Sequence, residues 1–178
     1  MRGAAWVATP LGPFYVVAEG GALVQSGFGE PPPLPPSPLA LRAVAAVARY
    51  FEGMPLPAFP LWLDGPPFFR RVWETLAATR PGELLTYGEL AARAGRPGAA
   101  RAVGRAMAEN PLPLFVPCHR VVASGGRLGH YGPATWRKAA LLLLEAGKTD
   151  LEDRIARLRA HPDLAAVRLR DLLGDCEP

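Results

Sequence analysis

Residues 85–109, LTYGELAARAGRPGAARAVGRAMAE, read as two short helices around a tight turn. Thr86 with Glu89 three positions later is a capping box, in which each side chain satisfies a backbone N–H that the first helical turn leaves open. The helix ends at Gly95, Gly95-Arg96-Pro97-Gly98 makes the turn, and a second helix follows as AARAVGRAMAE. Two short helices joined this way form a helix-turn-helix candidate, whose second helix would lie on DNA, although ordinary helix packing gives the same pattern. That second helix carries small residues, Ala99, Ala100, Ala102, Gly104 and Ala106, around Arg101 and Arg105. Small residues allow a close approach to a nucleic-acid surface and equally suit tight packing.

Working outward, FFRRVWETLAATRPG at 68–82 repeats apolar groups at Phe69, Val72, Trp73 and Leu76 and is expected to stop at Pro81-Gly82. Further upstream, LALRAVAAVARYFEGM has Leu41, Val44, Val47, Ala48 and Phe51 at helical spacing and ends at Gly53. PPPLPPSP at 31–38 reads as a stiff, polyproline-like connector. The first 30 residues alternate aromatic and β-branched residues with Gly and Pro, which predicts two or three short antiparallel strands. The fold class is therefore α+β, with an N-terminal α+β domain at 1–64, an all-helical domain at 65–148 and a helical extension at 149–178. In the extension, TDLEDRIARLRA and DLAAVRLRDLLG are expected as two amphipathic helices split at His161-Pro162.

A chain of 178 residues with 49% hydrophobic content can bury a core. No apolar run reaches the roughly 18 residues needed to span a bilayer, and the N-terminus lacks the apolar core of a signal peptide, so the expected compartment is the cytoplasm. Cys118 and Cys176 accordingly read as reduced thiols. The net charge is +4, unevenly spread. Residues 70–138 hold eleven Arg or Lys against four Glu, leaving nine basic against twelve acidic residues elsewhere. A basic middle is compatible with a polyanionic partner and with a solvated basic face.

FVPCHRVV at 115–122 sets Cys118 beside His119 and Arg120 in an apolar segment. A buried cysteine is ordinarily a small hydrophobe. A neighbouring imidazole and positive charge favour the thiolate, which is the nucleophilic form. A zinc set cannot be assembled from one interior cysteine and three scattered histidines without CxxC or HxxxH spacing.

NPLPLFVPCHRVVASGGRLGHYG, preceded by LLTYGELAARAGRPGAARAVGRAM, resembles the C-terminal domain of the O6-alkylguanine-DNA alkyltransferases, also called methylated-DNA–protein-cysteine methyltransferases. The likeness runs from about Phe68 to Gly147, with Pro117-Cys118-His119-Arg120 as its most specific element. TPLGPFYVVAEGGALVQSGFG is similar, more weakly, to the family's ribonuclease-H-like N-terminal half, and the second domain to its winged-helix-like half. The resemblance implies a DNA repair protein that flips O6-alkylguanine out of double-stranded DNA and transfers the alkyl group irreversibly to its own cysteine. It implies Cys118 as nucleophile, His119 as base acting through a water, Glu145 as the carboxylate that orients the imidazole, and Tyr87 as the group crowding the target phosphate and assisting the guanine leaving group. It further implies Arg101 as the finger that fills the vacated space, with Ala100, Gly104, Arg105 and Arg120 also facing DNA. Asn110 matches the hinge asparagine, and Tyr131 the aromatic pocket wall. The carbonyls of Cys118 and Val121 would accept the guanine's exocyclic amine, and Gly132 retains the N–H that contacts O6, which Pro133 could not supply. No cofactor or metal is implied, because the family's zinc ligands lie in the N-terminal half, where this chain has neither Cys nor His. A monomer acting on DNA, with no membrane, is expected. The alternative is an alkyltransferase-like protein that recognises damage without efficient transfer, which Cys118 opposes. A cysteine hydrolase or a plain helix-turn-helix regulator would leave either the basic domain or the PCHR segment without a purpose.

Overall fold

The computed structural model describes residues 1–129 and 134–147. The expected helices at 149–178, with Cys176, and the pocket residues Tyr131, Gly132 and Pro133 lie outside that range. Chain contacts divide the molecule into one unit of Met1–Pro66 with Asn110–Val116, and a second of Pro67–Glu109 with the chain from Pro117 onward. No helix of the described residues is long and apolar enough to cross a membrane.

In the first unit, β1 (Arg2–Val7), β2 (Phe14–Glu19) and β3 (Ala22–Phe28) form an antiparallel sheet in sequence order. Helix α1 (Pro38–Phe51) packs on it, started by Ser37, whose hydroxyl accepts the N–H of Ala40. The buried stripe of α1 is Ala40, Ala43, Val44, Val47 and Tyr50, while Leu41 is exposed. The apolar face thus sits one position from the one read in the sequence, because the alanines allow closer approach to the sheet than the bulkier leucine does. The proline-rich stretch is more than a connector. Ala4 donates its N–H to the carbonyl of Pro35, and a side chain at Gly3 would meet that carbonyl at 2.7 Å. The segment Asn110–Val116 belongs here and not with the second domain: Ser26 donates through its N–H to Pro111 and through its hydroxyl to Pro113, and Phe59 meets Phe115 edge-on.

The second unit contains α2 (Pro67–Ala77), β4 (Leu85–Thr86), α3 (Tyr87–Arg93), α4 (Ala100–Ala108), a 3-10 turn (Cys118–Arg120), β5 (Val121–Val122) and α5 (Thr135–Glu145). It is not all-helical. β4 and β5 pair in parallel, Leu85 with Val121 and Thr86 with Val122, which ties the strand leaving the 3-10 turn to the start of α3. Helix α2 stops at Ala77, short of Pro81, as the Thr79 hydroxyl takes the Leu76 carbonyl at 2.6 Å. The α3 capping box is present in both directions, and Gly95, at φ 79°, takes the left-handed conformation that ends the helix. The Trp73 indole N–H donates to the Ala106 carbonyl at 2.8 Å and holds α2 to α4.

Candidate active site

The 3-10 turn delivers Cys118, His119 and Arg120 together, all buried. The last residue of α5, Glu145, meets them from below. His119 Nε2 lies 2.9 Å from Glu145 Oε1, and Arg120 grips the same carboxylate with two prongs, Nη2 to Oε1 at 2.8 Å and Nε to Oε2 at 2.9 Å. The N–H of Gly82 adds a further donor to Oε2 at 3.0 Å. The remaining guanidinium nitrogen, Nη1, donates to the carbonyl and hydroxyl of Thr79 at 2.7 and 2.9 Å.

These contacts fix the charge state. Burial pushes the Glu145 carboxyl up, but the hydrogen bonds from His119 and Arg120 and the Gly82 N–H outweigh it and hold the group well below the usual carboxylate range. Burial lowers the His119 imidazole below its ordinary value, and Glu145 only partly opposes the shift. Arg120 already supplies the cation that Glu145 requires, so the imidazole stays neutral. An ionised carboxylate only accepts, so His119 Nε2 must carry the proton and Nδ1 the lone pair. Nδ1 is buried and has no hydrogen-bond partner among the described residues. His119 thus presents a buried acceptor nitrogen one residue along the chain from Cys118.

Tyr87, at the start of α3, is half-buried, and its hydroxyl is held in the protonated form by burial first and by Cys118 second. An added side chain at Gly129 would come within 3.5 Å of the Tyr87 hydroxyl. On α4, Arg101 and Arg105 are exposed while Ala100 and Gly104 are half-buried, and a side chain added at Gly104 would touch nothing within 4 Å. Arg120 is a correction: expected to face DNA, it is only 6% exposed and its guanidinium is consumed by Glu145 and Thr79. Asn110 lies in the first unit, where its Nδ2 donates to the Val116 carbonyl at 2.9 Å and its Oδ1 accepts the Leu112 N–H. The carbonyls expected to bind an amine already accept within the protein, Cys118 from the Val121 N–H and Val121 from Lys138 Nζ. Among the described residues no group of three or more His, Cys, Asp or Glu could hold a metal ion.

Residues 67–147 match the family model for the 6-O-methylguanine DNA methyltransferase, DNA binding domain. The curated methylated-DNA–protein-cysteine methyltransferase of Mycobacterium tuberculosis is 40% identical over 149 residues, covering 79% of this chain and 90% of the relative. The chain belongs to the methylated-DNA–protein-cysteine methyltransferase family. The methyltransferase of Mus musculus is 47% identical over 105 residues, or 54% of this chain and 49% of its own. Among solved structures, the Mycobacterium tuberculosis methyltransferase in complex with DNA aligns with a TM-score of 0.75 at 36% identity, covering 84% of this chain and 96% of that one. As in those relatives, the architecture is mixed α+β, with a small antiparallel sheet and helices.

Lys138, Thr79 and Gly82 are site residues that the sequence reading missed. For Lys138 a signal existed. It stands seven positions before Glu145 in an otherwise apolar stretch of α5, two turns along the same face.

Proposed function

We propose that this methyltransferase repairs O6-alkylguanine, mainly O6-methylguanine, in double-stranded DNA by moving the alkyl group to Cys118 in a single, self-inactivating turnover. The observation that carries this reading is the unpartnered His119 Nδ1, left as base by the fixed His119–Glu145–Arg120 cluster beside Cys118. The thiol proton passes to His119, through a water in the family's scheme, and the sulfur forms a bond to the alkyl carbon as the O6–carbon bond breaks. The bonding pair leaves with guanine O6, where the protonated Tyr87 hydroxyl stabilises the developing charge. The guanine anion then takes back the proton held by the His119 imidazolium, so that the products are guanine and an alkylated cysteine with the imidazole neutral again. No activating cofactor is needed to balance the step.

The α3–turn–α4 pair supports a helix-turn-helix reading, with β4 and β5 in the place of a small wing, and the α1-backed sheet supports a ribonuclease-H-like N-terminal domain. Exposed Arg101 and Arg105, with the open surface at Gly104, suit α4 to DNA, and Arg101 to filling the gap left by a flipped base. A DNA partner agrees with the DNA complex of the similar structure. The reading carries with it a cytoplasmic monomer.

Incubation with duplex DNA containing O6-methylguanine, followed by intact-protein mass, should add one methyl per molecule at Cys118. Cys118→Ser should take up none while still binding DNA. Binding with no mass gain in the unaltered protein would make it a damage-recognition relative, and repeated turnover would remove the stoichiometric claim.

A further inference from the structure

Lys138 is 1% exposed, on a turn of α5 whose neighbours Ala139 to Leu143 are buried apolar residues. A buried ammonium is costly, and an aliphatic side chain would fill the same volume without that cost. No carboxylate among the described residues pairs with it, since Glu145 on the same helix is taken by His119 and Arg120. Its hydrogen bond goes instead to the Val121 carbonyl, and the Val121 N–H in turn donates to the Cys118 carbonyl. Lys138 therefore closes the 3-10 turn from outside, on the residue that follows it.

We propose that Lys138 is a positioning residue for the transfer, anchoring the Val121 carbonyl and setting a positive charge beside Cys118 to favour its thiolate. The proposal rests on the reading that Cys118 is the alkyl acceptor. Among the described residues, the titratable and charged groups around the turn are Cys118, His119 and Arg120 on it, Glu145 on α5 and Tyr87 on α3. Of these, Glu145 and Arg120 neutralise one another, His119 is neutral, and Tyr87 keeps its proton. Cys118 is the one group in this set whose ionisation gives Lys138 a counter-charge. The electrostatics agree with the geometry: burial lowers the ammonium to about 8, Cys118 opposes that shift, and Lys138 stays cationic at neutral pH. The same charge helps to keep His119 unprotonated, and so able to accept the thiol proton. Anchored by the ammonium, the Val121 carbonyl keeps a fixed direction.

The test uses the full chain in a Cys176→Ser background, so that Cys118 is its single thiol. The rate of Cys118 alkylation by iodoacetamide is followed by mass against pH, without DNA. Lys138→Met should move the midpoint up by roughly 1 pH unit and slow alkylation at neutral pH about tenfold, the effect of losing one nearby opposite charge. Lys138→Arg keeps the charge and should keep the midpoint near that of the unaltered protein. An unchanged midpoint in Lys138→Met, or an equal shift in Lys138→Arg, overturns the proposal. Circular dichroism checks folding, and if the methionine variant does not fold, Lys138→Gln is judged by the same midpoint. Failure of the unaltered protein to take methyl from DNA would instead remove the repair reading, while the iodoacetamide profile still decides the role of Lys138.

Discussion

His119 Nε2 and Glu145 Oε1 stand 2.9 Å apart with both side chains 1% exposed, and the same carboxylate is held by Arg120. The pair is therefore not a simple ion pair: Arg120 supplies the positive charge, and the imidazole remains a neutral donor through one nitrogen and an acceptor through the other.

The pH dependence follows from this arrangement. His119 is lowered from 6.5, so the unfolded chain takes up that proton more readily than the folded one. Its contribution to stability is fully present above about pH 6.5 and is lost as pH falls through the lower folded value. Glu145, lowered from 4.5, acts in the same direction at more acid pH. Transfer from O6-methylguanine DNA should hold its rate down to pH 6.5 and fall below it. Rate constants across pH 5 to 8 check this, and an acid limb centred at or above 6.5 would show that His119 is not the neutral base.

Glu145→Gln should cost both stability and activity. It keeps the shape but leaves the Arg120 guanidinium buried without its counter-charge, a loss of about 3–5 kcal/mol. The amide can also present its NH2 group to His119 and reverse the tautomer, removing the lone pair from Nδ1. Urea unfolding and single-turnover rates measure the two effects. A variant with full stability would mean that Arg120 is satisfied by Thr79 alone.

If exposed Arg101 fills the gap left by a flipped nucleotide, as proposed above, Arg101→Ala should slow repair of duplex DNA more than reaction with the free alkylated base. Comparing rates on the two substrates decides it, and equal losses would assign Arg101 to the fold. Duplex binding should weaken with rising salt as phosphate contacts release counterions.

Trp73→Phe deletes the indole donor to Ala106 and leaves that buried carbonyl without the bond. The expected loss is about 1–3 kcal/mol, seen as a lower urea midpoint at unchanged slope. An unchanged midpoint would mean that ring packing, not the hydrogen bond, joins α2 to α4.

Much of this molecule is written locally. The Thr86–Glu89 cap, the Gly95 stop and the buried stripe of Phe69, Val72, Trp73 and Leu76 each depend on residues a few positions apart, and each stands in the structure as the sequence predicts. Cys118 and His119 carry their chemistry in adjacent positions, so the family likeness is legible there without coordinates. What only the tertiary structure decided is where the long side chains and exposed-looking segments spend their contacts. Arg120 reads as a cation for DNA, yet it turns inward because Glu145 and Thr79, 25 and 41 residues away, arrive around it. Lys138 shows in the sequence only as a charge in an apolar stretch, and its partner, the Val121 carbonyl 17 residues earlier, is found only in the fold. β4 and β5, of two residues each, are too short to show a period and exist through their pairing. A short-range signal fixes backbone conformation, but the partner of a buried charge is chosen by whichever distant segment can satisfy it, since no charge stays buried unsatisfied.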